Sequence, residues 1–162
     1  MFKIETNVFA DVYYIGSEVP LFIERIESKN LVVNTGRNII RNIMAEPDSD
    51  TRASFKNVYF YWGSGTDVAT AGETTLVTPS TYDSGNPQAI TEANISTDYQ
   101  ITYKYYMPSS IANGETIAEA GLFFGNLASS NTMFARVKLG TAISKTADKA
   151  ITFSWIQAIT AS

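Results

Sequence analysis

The chain has 162 residues, enough to bury a real core within one domain. It holds no cysteine and no histidine, so disulfides, thiolate nucleophiles, imidazole bases and the usual transition-metal ligands are excluded together, leaving carboxylate chemistry open. With 12 basic against 16 acidic side chains the formal charge is −4, and no basic run occurs, which speaks against nucleic acid as the main partner.

The opening MFKIETNVFADVYYIG changes face about every second residue, with Phe2, Ile4, Val8, Val12 and Tyr14 among its apolar points. It reads equally as a first strand or as an extended arm that pairs elsewhere, and residues 1–17 are set apart on that ground from a sandwich domain over 18–162. The stretch lacks the continuous apolar core of a signal peptide, and nothing approaches the roughly 18 apolar residues of a membrane span. A soluble product of the cytoplasm is expected, with no membrane partner.

PLFIERIES and LVVN, separated by KN, predict a hairpin. TGRNIIRNIMA is the one helical segment. Ile39, Ile40, Ile43 and Met44 form a single stripe behind Thr35 as N-cap, and the helix should run from about Gly36 to Ala45. Pro47 and the polar EPDSDTRAS end it. NVYFYWG reads as a buried aromatic strand closing at GSGT, and Thr66 to Gln88, rich in Thr, Gly, Ser, Asp and Pro, as a surface excursion.

AITEANISTDYQITYKYYMP predicts two strands, the second with Ile101, Tyr103 and Tyr105 on one face and Lys104 and Tyr106 on the other. IAEAGLFFG, TMFARVKLG and KAITFSWIQAI follow as strands, separated by turn signals that include ANGET before the first and LASSN after it. Trp155 shares the face of Phe153 in the last and should be buried. One short helix among eight or nine strands places the chain in the all-β class, as an antiparallel β-sandwich of jelly-roll type.

Chemistry has few places to reside. WGSGT, residues 62 to 66, lacks the spacing of a phosphate-binding loop and reads as a strand-ending turn whose glycines supply positive φ. A carboxylate pair would have to come from Glu92, Glu115 and Glu119. Glu119, between Ala118 and Ala120 and beside Gly121, reads rather as a structural anchor that accepts backbone or arginine hydrogen bonds, with Arg37, Arg41 and Arg136 as partners to consider. Asp48 and Asp50 offer oxygen ligands without the glycine and distal acid of a calcium loop. No catalytic residue, metal or cofactor is assigned.

The order of VVNTGRNIIRNIM, an aromatic strand ending in GSGT, TTL, IAEAGLFFGN, TMFARVKLG and ISKTADKAITFSWIQAI resembles a family of small tailed-bacteriophage virion proteins. The likeness runs from about Asn34 to Ile159 and is densest from Ile117 to Ile156. It implies a structural, non-enzymatic role on the virion after synthesis in the host cytoplasm. The role expected is a head decoration or cement protein, binding the major capsid protein or other virion proteins as a homotrimer. A tail fibre or baseplate component is the alternative within the same class, and a carbohydrate-binding module or glycan hydrolase the alternative from another. In such a module Glu119 would fix the turn formed by ANGET, with Gly121, Arg136 and Trp155 as further structural anchors. An arm would present Phe2, Ile4, Val8, Phe9, Val12 and Tyr13 to a neighbour.

Overall fold

The computed structural model describes residues 2–16, 18–45, 57–85, 87–95, 99–125 and 132–161. In chain order these form β1 (Phe2–Tyr14), β2 (Leu21–Lys29), β3 (Leu31–Val32), α1 (Asn34–Ala45), β4 (Val58–Gly63), β5 (Gln88–Ala89), β6 (Glu92–Ile95), β7 (Gln100–Met107), β8 (Thr116–Phe124), β9 (Thr132–Ser144) and β10 (Lys149–Ala161). Two five-stranded antiparallel sheets result, one ordered β2-β1-β10-β7-β6 and the other β3-β9-β8-β4-β5. The fold is the all-β sandwich that the alternation and turn spacing predict.

Aromatic side chains join the two layers. Phe60 of β4 lies 4.8 Å from Tyr105 and 4.6 Å from Phe153 between ring centres, and Trp62 lies 5.9 Å from Tyr105. Phe60, Trp62, Phe153 and Trp155 are almost wholly buried, and each aromatic of this size removes about 150–250 Å² from water. Trp155 also has a polar partner. With its amide turned so that oxygen faces the indole, Asn30 accepts from Trp155 Nε1 at 2.7 Å and donates to the Thr6 carbonyl at 3.0 Å.

KN, residues 29 and 30, is not a hairpin turn. β2 pairs with β1 in the first sheet and β3 with β9 in the second, so the chain crosses between layers at Asn30 instead of folding back. The hairpin expected of residues 20–34 is replaced by one between β1 and β2.

The opening segment also sits differently from an arm. β1 pairs along its whole length with β10, and from Asn7 to Tyr14 with β2. Its inward residues Val8, Ala10 and Val12 are completely buried. Val8 and Val12 are therefore core side chains rather than interface ones, because alternation turns them toward the opposing sheet.

Helix α1 begins at Asn34, and Thr35 is not its cap: the Thr35 hydroxyl donates to the Met133 carbonyl at 2.6 Å. The Val33 amide donates to Phe134 O at 3.1 Å, and a Cβ on Gly36 would collide with the same carbonyl. The helix start is thus seated on β9, where only glycine permits so close an approach. EPDSDTRAS, with Asp48 and Asp50, and LASSN lie outside the described residues.

Candidate functional site

β8 is covered on both faces, which is why IAEAGLFF shows no clean alternation of polar and apolar. Ala118, Ala120 and Leu122 face the inter-sheet core, where Ala120 stands opposite Trp62 and Leu122 opposite Phe60. Glu119, Gly121 and Phe123 face the other way, and there the segment 64–81 is folded over them. Leu76 of that segment is 2% exposed, and a Cβ on Gly121 would stand 3.0 Å from its Cδ2. The expected surface excursion is therefore a strap, with one side buried.

A buried ionic network fastens the strap. Glu119 Oε1 accepts from the amides of Gly65 at 3.2 Å and Thr78 at 2.7 Å, and Oε2 accepts from the Val77 amide at 3.1 Å and from Arg136 Nε at 2.7 Å. Arg136 Nη1 donates to both oxygens of Glu73 at 3.0 Å, and Nη2 to the Asp67 carbonyl at 2.9 Å. Neither Glu119 nor Arg136 has any exposed surface. Their register follows from the hairpin of β8 and β9, which sets Gly121 opposite Arg136 and brings the arginine beside the strand position of Glu119.

The glycines of WGSGT have a different purpose from the one their spacing suggests. Gly63 and Gly65 do not adopt positive φ. A Cβ on Gly65 would lie 2.5 Å from Glu119 Oε1, and one on Gly63 would lie 2.7 Å from it. They leave room for the carboxylate and for the Thr78 carbonyl.

The ANGET turn is held by another group. Lys145, fully buried, donates through Nζ to Ser109 O at 3.2 Å, Asn113 Oδ1 at 3.0 Å and Thr146 O at 3.1 Å. Its main chain bonds both sides of the turn, from Lys145 N to Glu115 O and from Gly114 N to Lys145 O. Burial lowers the Lys145 pKa below the ordinary lysine value. Glu119, expected at this turn, fixes the 64–81 strap instead, because its side chain points to the outer face of β8, where the amides of Gly65, Val77 and Thr78 lie.

The other two acids are also engaged. Glu115 accepts from Trp62 Nε1 at 2.8 Å and from Ser80 Oγ at 2.9 and 2.8 Å. Ser80 in turn accepts from the Tyr82 amide at 3.0 Å, and its carbonyl takes the Tyr61 hydroxyl. Burial, and secondarily the charge of Glu115, raises the Tyr61 pKa. A cavity of about 460 Å³ lies over Tyr61, Thr75, Pro79, Ser80, Thr81 and Gly85 without including any of the three acids. Glu92 is on the edge strand β6, paired with Lys104 at 3.2 Å. Glu119 has no route to a substrate, so the three do not form a pair of acids across a cleft. Among the described residues no cluster of acidic side chains is suited to a metal ion, and no helix is long and apolar enough to cross a membrane.

What the surface does offer is apolar. A groove of about 480 Å³ is lined by α1, by the ends of β1 and β10, and by β6 and β7. Met44, Ile95 and Tyr99 on its rim are each about four-fifths exposed. At the far corner of the same sheet, Leu21, Phe22 and Ile23 of β2 are about half exposed. Of the residues expected at an interface, Ile4 lines the groove, Tyr13 packs edge-on against Phe22 at 5.8 Å, and Phe9 lies half-buried under Arg25 at 5.3 Å. Phe2 is placed as the first residue of β1, opposite Ala161.

Glu73, Leu76 and Lys145 were not singled out by sequence reasoning. Leu76 had a signal, as the one large aliphatic in a Thr- and Gly-rich stretch between Val68 and Val77, whereas Glu73 and Lys145 look like ordinary surface charges until the fold brings their partners in. Comparison with known proteins gives no match: no family model, no curated protein and no solved structure is similar to the chain.

Proposed function

We propose that this chain is a tailed-phage virion structural protein that decorates and cements the head, binding the major capsid protein as an oligomer. One observation carries the reading. Glu119, Arg136 and Glu115 are engaged by the strap and by Trp62, and Glu92 by Lys104, while large aliphatic and aromatic side chains stand exposed on β2, at Leu21, Phe22 and Ile23, and around the groove, at Met44, Ile95 and Tyr99. A protein whose working part is its surface shows that distribution, since exposed apolar patches mark sites of association. The ordered landmarks IAEAGLF, MFAR and ITFSW supply the virion class by resemblance.

Contacts between copies within the oligomer are drawn from the two exposed corners, to which β1 contributes Ile4 alone, and removing β1 would take an interior strand out of the sheet. Cementing works through many modest contacts spread over subunit boundaries and multiplied by avidity within an oligomer. Quantitative mass spectrometry of purified particles of the encoding phage tests this: hundreds of copies per particle support a head location. A handful of copies would move the protein to the tail or baseplate, and its absence from the particle would end the virion reading.

A further inference from the structure

The groove and the exposed segment of β2 are complementary, and the fold keeps them apart. β2 and β6 are opposite edges of one sheet, four strand spacings or about 19 Å from each other. They also lie at opposite ends: Leu21 pairs with Tyr14, whereas the groove is entered beside Ile4 and Ile159, ten positions or about 33 Å back along β1. No chain can fill its own groove with its own β2.

We infer that the chain self-associates head to tail, the Leu21–Ile23 segment of one copy inserting into the groove between α1 and β6 of the next. Two observations select a second copy as occupant. The first is area. A standard interface takes about 800 Å² from each partner, of which roughly 450–500 Å² is apolar. Leu21, Phe22 and Ile23 on one side, and Met44, Ile95, Tyr99 and Ile159 on the other, hold most of that apolar area at exposures near or above one half. Leu21 and Phe22 point to opposite faces of a strand whose outer edge is unpaired among the described residues, so insertion covers both faces together.

The second is charge. Glu18 and Glu24 flank the inserting segment and are exposed. Arg37 and Arg41 are exposed on α1, one turn from the groove residues Ile40 and Met44. The acids of one copy meet the arginines of the next.

Such a contact is heterologous, joining different surfaces of identical copies, and it closes into a ring or continues as a filament according to its rotation. It holds whether or not the virion reading does. Sedimentation velocity over a concentration series tests it. Wild type should sediment above the monomer in a concentration-dependent way. Phe22→Glu and Met44→Glu should each weaken association by at least about 30-fold, as loss of a buried anchor does. Both positions are exposed, so circular dichroism should stay native; Leu21→Ser and Ile95→Lys form a second pair if it does not.

Mixing the two variants is the decisive measurement. Phe22→Glu keeps an intact groove and Met44→Glu an intact inserting segment, so the mixture should give a heterodimer and nothing larger. Continued self-association of Phe22→Glu, a mixture that stays monomeric, or wild type monomeric up to about 0.1 mM would each overturn the inference.

Discussion

Glu119→Gln isolates the charge of the strap's anchor while preserving its shape. Each carboxylate oxygen accepts from two donors, Gly65 N and Thr78 N on Oε1, Val77 N and Arg136 Nε on Oε2. An amide has one oxygen and one NH₂ group, so either orientation sets a donor against two donors. An unsatisfied buried donor costs about 1–3 kcal/mol, and breaking a buried ion pair from one side about 3–5 kcal/mol. Glu73 retains its bonds to Arg136 Nη1 and softens the loss. The expected destabilisation is about 3–4 kcal/mol, a large share of the 5–15 kcal/mol typical of a domain. Urea unfolding followed by tryptophan emission measures it, because Trp62 and Trp155 are both buried. A change below about 1 kcal/mol would refute the network as the fastening of the strap.

Gly65→Ala places a Cβ 2.5 Å from Glu119 Oε1 and 2.8 Å from Val77 Cβ, and should cost about 1–3 kcal/mol, whereas Gly72→Ala meets nothing within 4 Å and should be neutral or slightly stabilising; paired thermal melts compare them. Burial raises the Tyr105 pKa. Above pH 10 the unfolded tyrosine therefore releases its proton while the folded one keeps it. Stability present below pH 10 is then lost as pH rises, by up to about 1.4 kcal/mol per pH unit for that group. Tyr105→Phe keeps the ring that stacks on Phe60 and should flatten the alkaline limb of urea midpoint against pH, with little change at pH 7.

The class of fold was legible because most strands bury one face, and alternation reports one buried face. Phe153 with Trp155, and Tyr103 with Tyr105, fall where a period of two places them. β8 was legible as a strand but not in its surroundings. With both faces covered, its sequence is continuous small and apolar residues around one acid, and nothing local says what covers the second face. Glu119 as an anchor followed from its alanine neighbours. Its target did not, because the strap is joined to it across more than forty residues of chain. KN misled for a related reason: a turn signal between two apolar runs reports a change of direction without saying whether the chain stays in its sheet.

The strap also explains why a chain with few charges places three in one network. Segment 64–81 has neither helix nor sheet to satisfy its backbone, apart from an isolated bridge between Gly63 and Pro79. Burying such a segment would ordinarily leave amides and carbonyls without partners. A carboxylate can accept several hydrogen bonds at one point and a guanidinium can donate five, so Glu119 and Arg136 take over the function of a neighbouring strand. They bind three amides and one carbonyl of the strap and neutralise each other at 2.7 Å. Apolar replacements of both would relieve the desolvation of two charges yet leave those backbone groups unpaired. For this pair, unlike a buried salt bridge surrounded only by side chains, hydrophobic substitution should destabilise the fold, because its main partner is the main chain.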